Sequence, residues 1–286
     1  MDQKFIDLHD EYTHAPLPRR VFLKRLAMLA GGVAAAEALL PLLEVDYAAA
    51  QMVSPRDGRL TTGTVSYRGA NGNIRAYQAR PRGGGKMPAV VVIHENRGLN
   101  PHIEDVARRL ALAGFLAIAP DALSPIGGTP ADRDEARSMI YSLDREETLN
   151  NYLAAVRFAK SHRFSTGKVG CVGFCWGGGM SNQLAVHSRE LDAAVAFYGR
   201  TPRATQVAKI KAPLLLHYAG LDRRINAGVP AYEAALKTAG VRYRMHVYAG
   251  VNHAFHNDTA ASRYDKKAAR LAWQRTLAFF SETLAK

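Results

Sequence analysis

Residues 169–179 read VGCVGFCWGGG, an apolar run that passes into a cluster of glycines. The apolar half predicts a buried strand, and the glycines predict a sharp turn from which a helix begins. In so tight a turn, β-carbons two residues before and two residues after the central Cys175 would collide with neighbouring backbone, and Gly173 and Gly177 remove them. The stretch therefore has the G-x-C-x-G form of a nucleophile elbow, with Cys175 at its tip.

The chain has two cysteines, and we expect them to have different roles. The turn pushes the Cys175 side chain into a cleft, where the N-terminal dipole of the following helix favours the reactive thiolate. The alternative is a structural turn in which Cys175 is only a small buried residue. Cys171 lies inside the strand and should pack in the core. In that geometry the two cannot form a disulfide, so the sequence indicates a thiol that is kept for chemistry.

Short β-rich runs alternate with longer helical runs from Thr62 onwards, which is typical of a mostly parallel sheet with both faces covered. We predict an α/β-hydrolase fold with an eight-stranded, mostly parallel sheet and helices on both faces. The predicted strands cover residues 62–66, 74–79, 89–94, 115–119, 169–173, 193–198, 214–218 and 243–248, the first two forming a hairpin with its turn at Asn71-Gly72. The predicted helices cover residues 102–113, 145–161, 178–188, 227–239 and 263–284.

The acid and the base of such a fold follow the penultimate and the last strand. Asp222 comes after the predicted strand 214–218, and His253 comes after the predicted strand 243–248, with His256 as the rival base. Asp222 would hold the imidazole in the right tautomer, or else it is a loop aspartate that caps the next helix. The oxyanion hole would take one backbone amide from the loop after the strand ending at His94 and another from Trp176.

Length and composition indicate a single large α/β domain, residues 51–286. The chain has 286 residues, of which 48% are hydrophobic, and a formal net charge of +13. Its Lys and Arg residues are scattered and no nucleic-acid module accompanies them, so we expect a small-molecule substrate and no nucleic acid. His253 and His256 lack a third ligand or an H-E-x-x-H pattern, and we expect neither a metal nor a cofactor.

The first fifty residues have the order of a twin-arginine signal peptide. Arg19 and Arg20 precede an apolar run from Leu26 to Leu43, and residues 47–51 read YAAAQ, which fits an A-x-A cleavage site after Ala50. The alternative is an amphipathic or membrane-anchoring helix, although Glu37 interrupts the run. We therefore set residues 1–50 apart from the fold and expect the twin-arginine machinery to export the protein to the periplasm or the medium.

From about residue 60 to its C-terminus the chain resembles the dienelactone hydrolase family of α/β-hydrolases. The resemblance is carried by the elbow GFCWGG at 173–178, the loop that holds Glu95, the pair Pro120-Asp121, Asp222 and the segment HAF at 253–255. It implies hydrolysis of an ester or a lactone, of the carboxymethylenebutenolidase type, by a triad of Cys175, His253 and Asp222. It also implies that Glu95 holds the resting thiol and takes part in its activation, and that the amides of Trp176 and Asn96 form the oxyanion hole.

The chain departs from this family where the substrate carboxylate is bound. Well-known members use one arginine shortly after the Pro-Asp pair and another a few residues after the catalytic histidine, whereas residues 122–125 read ALSP and residues 254–257 read AFHN here. Arg97 is the candidate replacement for substrate binding. Arg133, Arg200 and Arg263 are further candidates. If none of them reaches the cleft, a less acidic ester or lactone is expected.

A non-catalytic binding protein on a hydrolase scaffold is the alternative from another functional class. The complete set of triad residue types argues against it. A redox-sensing thiol protein is a second alternative, but Cys175 has no resolving cysteine within reach.

Overall fold

The computed structural model describes residues 1–14, 17–46 and 52–285, and an eight-stranded sheet forms its centre. The strands are β1 (Leu60–Arg68), β2 (Asn73–Pro81), β3 (Met87–Ile93), β4 (Leu116–Pro120), β5 (Ser165–Phe174), β6 (Ala193–Phe197), β7 (Leu214–Ala219) and β8 (Tyr243–Tyr248). All eight predicted strands are therefore present, and their order in the sheet is β1-β2-β4-β3-β5-β6-β7-β8.

The sheet is mostly parallel, as predicted. β1 pairs antiparallel with β2 through the expected hairpin, in which the Gly69 amide donates to the Gly72 carbonyl at 2.8 Å. β2 is antiparallel to β4, and every later neighbouring pair is parallel. The carboxyl ends of β3 to β8 consequently meet at one edge, where a ligand site is expected in this type of sheet.

Ten α-helices occur in the described part of the chain. They are α1 (Gln3–His14), α2 (Arg19–Ala30), α3 (Val33–Leu43), α4 (Pro101–Leu112), α5 (Arg133–Ser142), α6 (Arg145–Ser161), α7 (Trp176–His187), α8 (Arg223–Asn226), α9 (Val229–Thr238) and α10 (Lys266–Leu284). The five predicted helices correspond to α4, α6, α7, α9 and α10. Helix α5 was not predicted, because it buries only Ala136 and Ile140 and so carries a weak apolar pattern.

Helices cover both faces of the sheet. α4 and α10 pack on one face, and α5, α6, α7 and α9 pack on the other. Val90, Val91 and Val92 in β3 are fully buried, with Val91 facing one helical layer and its two neighbours facing the other. This explains the continuous apolar runs in the sequence, since such runs suit parallel strands that are covered on both sides.

Helices α1 to α3 pack against one another and against the hydrolase domain, although the sequence pattern set residues 1–50 apart from the fold. They share a small apolar cluster in which Tyr12 stacks on Phe22 with ring centroids 4.4 Å apart. Polar contacts fasten them to the domain, because the Tyr12 hydroxyl donates to Asp134 at 2.6 Å and Gln3 donates to Asn252 at 2.6 Å.

The apolar run of the leader forms two helices rather than one. The chain bends by 112° between α2 and α3, at Gly31 and Gly32, both of which have positive φ. Among the described residues no single helix is long and apolar enough to cross a membrane, whereas this bent pair satisfies the length and composition criteria together. The predicted cleavage site at residues 48–51 lies outside the described residues, so export and cleavage stay predictions.

Candidate active site

Cys175 occupies a strained turn between β5 and α7, as the glycine pattern predicts. Its backbone has φ 56° and ψ −114°, a conformation that residues with a β-carbon rarely adopt. A β-carbon on Gly173 would lie 1.9 Å from the Gly177 carbonyl oxygen, and one on Gly177 would lie 2.4 Å from the carbonyl oxygens of Ile93 and His94. Only glycine fits these two positions, and the turn places Cys175 at the carboxyl edge of the sheet.

The two cysteines differ in their surroundings, as expected. Cys171 is fully buried inside β5 with its sulfur 3.1 Å from the Ser181 hydroxyl, and burial raises the pKa of its thiol to about 12. Cys175 lines a small cavity at the carboxyl edge. α7 begins directly after it at Trp176, whose amide is one of the first-turn donors that have no acceptor within the helix.

Asp222 and His253 meet in the loops after β7 and β8. The Asp222 Oδ2 lies 2.5 Å from the His253 Nδ1, while the Asp222 Oδ1 accepts from the Ile225 amide at 3.1 Å. The Asp222 carboxylate thus both contacts the imidazole and caps α8. The two alternatives that the sequence left open for Asp222, a partner of the histidine and a helix cap, are both present in the structure. Burial alone would lower the pKa of His253, but the Asp222 carboxylate and the Cys175 thiolate raise it to about 9.

Other histidines near the sheet have structural surroundings. His256, the rival base, is buried among aromatic rings and stacks on Phe174 at 5.0 Å, and burial holds its pKa well below the usual value. The His94 Nε2 accepts from the Ala122 amide at 3.2 Å, and its ring stacks on Trp176. These contacts hold both rings in the protein framework, whereas His253 lines the cavity beside Cys175.

The loop after β3 lines the cavity with Glu95, Asn96 and Arg97. The Glu95 Oε2 accepts from the Asn257 side chain at 2.7 Å, and its Oε1 is buried without a hydrogen-bond partner among the described residues. The Arg97 Nη1 lies 3.5 Å from the Asp134 Oδ1. The resemblance predicts that Glu95 holds the resting thiol, whereas the hydrogen bond that the structure gives the sulfur is to a different residue.

That residue is His14, at the end of α1, which the sequence reasoning missed. Its Nε2 lies 3.1 Å from the Cys175 Sγ, and its ring centroid lies 4.6 Å from that of His253. On the other side of the ring, Nδ1 contacts the Asp10 carbonyl at 2.9 Å and the Asp10 Oδ1 at 3.1 Å. Burial would raise the pKa of Asp10, but the hydrogen bond from His14 and the charge of His253 lower it.

A signal for His14 was present in the sequence. Asp10 and His14 are spaced by four residues, which places both on one side of a helix, and this helix lies ahead of the arginine pair. The interpretation of residues 1–50 as a removable leader excluded them from the search for site residues.

The N-terminal segment leaves little free space at the nucleophile. The cavity beside Cys175 has a volume of about 20 Å³, enough for one water molecule. It is lined by Thr13, His14, Val45, Glu95, Asn96, Arg97, Cys175, His253, Ala254 and Arg263. The Asn96 side chain donates to the Thr13 carbonyl at 2.8 Å, and Arg137 donates to the Tyr12 carbonyl. The end of α1 therefore covers the position that a substrate would enter.

Arg97 and Arg263 are the candidate arginines that reach this cavity. Arg263 is buried, and its Nε has no hydrogen-bond partner among the described residues. Arg200 is exposed, and Arg133 donates to the Val45 carbonyl. Asp121, which follows β4, accepts from the Thr129 amide at 2.9 Å and so connects the two ends of the loop 121–129.

Comparison with known proteins agrees with this architecture. The model of the dienelactone hydrolase family matches residues 74–284. A Salmonella typhi protein provisionally named carboxymethylenebutenolidase is 32% identical over 247 residues, which cover 81% of this chain and 91% of that protein. The "Protein usf" of Aquifex pyrophilus is 36% identical over 221 residues, which cover 74% of this chain and 94% of the relative.

Solved structures give the same result. A provisionally named dienelactone hydrolase from Klebsiella pneumoniae superposes with a TM-score of 0.71 at 31% identity and covers 78% of this chain and 98% of its own. A dienelactone hydrolase-like promiscuous phosphotriesterase from metagenomic libraries superposes with a TM-score of 0.70 at 26% identity, covering 79% of this chain and 99% of its own. The chain therefore belongs to the dienelactone hydrolase family, and it is a carboxylic ester hydrolase that cleaves an ester or a lactone.

Proposed function

We propose that Cys175 is the nucleophile of this hydrolase, that His253 is its base and that Asp222 orients the base. The observation that carries the proposal is the 2.5 Å contact between the Asp222 Oδ2 and the His253 Nδ1 beside a cysteine on a strained elbow. With Nδ1 bound to the carboxylate, the ring directs Nε2 towards the sulfur. The Asp222 carboxylate, which raises the pKa of His253, stabilises the imidazolium that forms when the thiol loses its proton.

The reaction follows from these positions. The Cys175 thiolate attacks the carbonyl carbon of the substrate, and the amides of Trp176 and Asn96 stabilise the negative oxygen. His253 then protonates the leaving alkoxide, and the acyl group stays on the sulfur. A water molecule that gives its proton to His253 hydrolyses the thioester and restores the thiol. The N-terminal segment must move away from the cavity before the substrate can enter.

Arg263 and Arg97 support a substrate that carries a negative charge near the scissile bond. Both line the cavity beside Cys175, and Arg263 is buried with an Nε that has no hydrogen-bond partner in the described part of the chain and that an anionic group could satisfy. The two arginines would replace those that the family places after Asp121 and after His253. We propose an ester or a lactone with a carboxylate a few atoms from its carbonyl.

Replacing the triad acid tests the proposed mechanism. Asp222→Asn should lower kcat by roughly three to four orders of magnitude, because the amide favours the wrong tautomer of His253. Asp192→Asn is the matched control. Asp192 lies just before β6, at the opposite edge of the sheet, where it accepts from Lys168 and from the Val169 amide, and its variant should stay within a few-fold of the original enzyme. An Asp222→Asn enzyme with nearly normal kcat would refute the triad.

Replacing Arg263 tests the substrate class. Arg263→Gln should lower kcat/KM for a carboxylate-bearing aryl ester by about 10- to 100-fold, the usual range for losing a hydrogen bond to a charged group. The same variant should hydrolyse a neutral ester with the same leaving group almost unchanged, which also shows that it is folded. Arg200→Gln, at an exposed arginine, is the control. An equal loss for both esters would contradict a role in charge recognition.

We also propose that the twin-arginine pathway exports the protein to the periplasm or the medium. Support comes from the order of the arginine pair, the apolar run and the A-x-A site, and Arg19 and Arg20 lie exposed on α2.

A conservative double replacement tests the export route. Arg19→Lys combined with Arg20→Lys keeps the charge but should leave the protein in the cytoplasm when cell fractions are compared. Arg25→Lys, on the same helix, is the control and should be exported normally. Normal export of the double variant would exclude the twin-arginine route.

A further inference from the structure

The N-terminal segment brings a second imidazole to the nucleophile, so three strong ligand atoms surround one point. A ring nitrogen of His14, the Cys175 sulfur and a ring nitrogen of His253 all lie within 4.8 Å of one another. The His14 Nε2 and the sulfur are 3.1 Å apart. The His253 Nε2 is buried without a hydrogen-bond partner among the described residues, although Nδ1 of the same ring is well bound.

Each imidazole is held through Nδ1 on the side away from the sulfur. The Nδ1 of His14 hydrogen-bonds to the Asp10 carbonyl at 2.9 Å with the Asp10 carboxylate 3.1 Å away, and the Nδ1 of His253 contacts the Asp222 carboxylate, so both rings keep a hydrogen on Nδ1 and leave Nε2 for the ion. Carboxylates in this position are typical of metal-binding histidines, whose tautomer and orientation they fix. A triad needs one such pair. The second pair, Asp10 and His14, has no role in the proposed hydrolysis.

We propose that His14, Cys175 and His253 form a binding site for a zinc-class divalent ion, which fastens the N-terminal segment over the active site and blocks the nucleophile. One thiolate and two imidazoles favour zinc-class ions, whereas magnesium and calcium prefer oxygen ligands. On binding, the Cys175–His253 pair releases the one proton that it shares to solvent, so that the sulfur binds as thiolate and both rings donate their Nε2 lone pairs. No electron transfer is involved.

The geometry requires only small movements. A tetrahedral zinc ion with bonds of about 2.3 Å to sulfur and about 2.0–2.1 Å to nitrogen separates its ligand atoms by roughly 3.3–3.6 Å. The observed 3.1 Å between His14 and Cys175 must widen slightly, and the third ligand atom must approach by at most about 1.5 Å from its limit of 4.8 Å.

The fourth position of the ion can be filled by a water molecule. The cavity beside Cys175 holds about one, and the buried Glu95 Oε1, which has no hydrogen-bond partner among the described residues, lines the same cavity. A metal-bound water can donate to this oxygen.

The ion would add to contacts that already hold the segment in place. These include Asn96 to the Thr13 carbonyl and Tyr12 to Asp134. With the ion bound, Cys175 cannot attack a substrate and His253 cannot accept a proton, so hydrolysis requires loss of the ion or of the segment. This inhibition rests on the proposed roles of Cys175 and His253. The binding of the ion does not.

Cobalt titration of the full-length chain tests the site without any substrate. Metal-free protein titrated with Co²⁺ should develop a thiolate charge-transfer band in the near ultraviolet and tetrahedral bands in the visible, saturating at one ion per chain, and Zn²⁺ should remove them. His14→Ala and Cys175→Ala should lose these bands. Cys171→Ala and His187→Ala, which change the core cysteine and an exposed histidine, should keep them. No thiolate band in the original protein, or an unchanged affinity in His14→Ala, would overturn the proposal.

Zinc inhibition of ester hydrolysis provides the second measurement, with each variant compared with its own metal-free rate. Asp10→Asn should need roughly 10- to 100-fold more Zn²⁺ for half inhibition, as expected for a carboxylate behind a metal-binding histidine, and His14→Ala should need at least as much. Equal sensitivity of all variants would contradict the site. If Cys175→Ala still hydrolyses the ester, the proposed function fails while the cobalt result stands. If Cys175→Ala is inactive but no cobalt band appears, only the metal site fails.

Discussion

The structure depends on one backbone constraint, the strained turn at Cys175. Its φ of 56° can be held only because Gly173 and Gly177 leave room for the backbone segments that cross at the elbow. The turn lifts the sulfur out of the sheet at the carboxyl end of β5. Parallel strands bring the loops after β3, β7 and β8 to the same edge, so the proposed oxyanion donors, acid and base lie on loops that border the same cavity as that sulfur.

Two histidines, His14 and His253, lie close to the Cys175 sulfur. His253 is held by Asp222 from within the hydrolase domain, and His14 is held by Asp10 from the N-terminal segment. In the structure the sulfur is hydrogen-bonded to His14, while Nε2 of His253 has no hydrogen-bond partner among the described residues. The active site is therefore closed by the N-terminal segment. An imidazole whose Nδ1 is held by an aspartate residue therefore occurs twice at this sulfur, once in the proposed triad and once in the segment that covers the site.

Local pattern and chain order were sufficient to predict the elbow, the eight strands and the positions of Asp222 and His253 in the loops after β7 and β8. These features follow from glycine spacing, apolar periodicity and the position of loops along the chain, all of which are readable over a few residues. His14 was not identified as a site residue in advance, and Arg263 was one of four candidate arginines that the sequence could not tell apart, because the places of both residues depend on contacts between segments far apart in the sequence. Glu95 shows the same limit, since its partner Asn257 lies 162 residues away. The apolar run of the leader matched a signal peptide, and nothing in that local pattern predicts that α1 to α3 pack on the domain.

Trapping the acyl-enzyme tests the central claim most directly. An ester that is hydrolysed slowly, mixed with the enzyme and quenched in acid within the first turnover, should leave its acyl group on the tryptic peptide 169–189. This peptide contains both cysteines, so fragmentation has to locate the group between them. The account predicts one acyl group on Cys175 and none on Cys171. An acyl group on another residue, or rapid turnover with no acylated peptide, would contradict it.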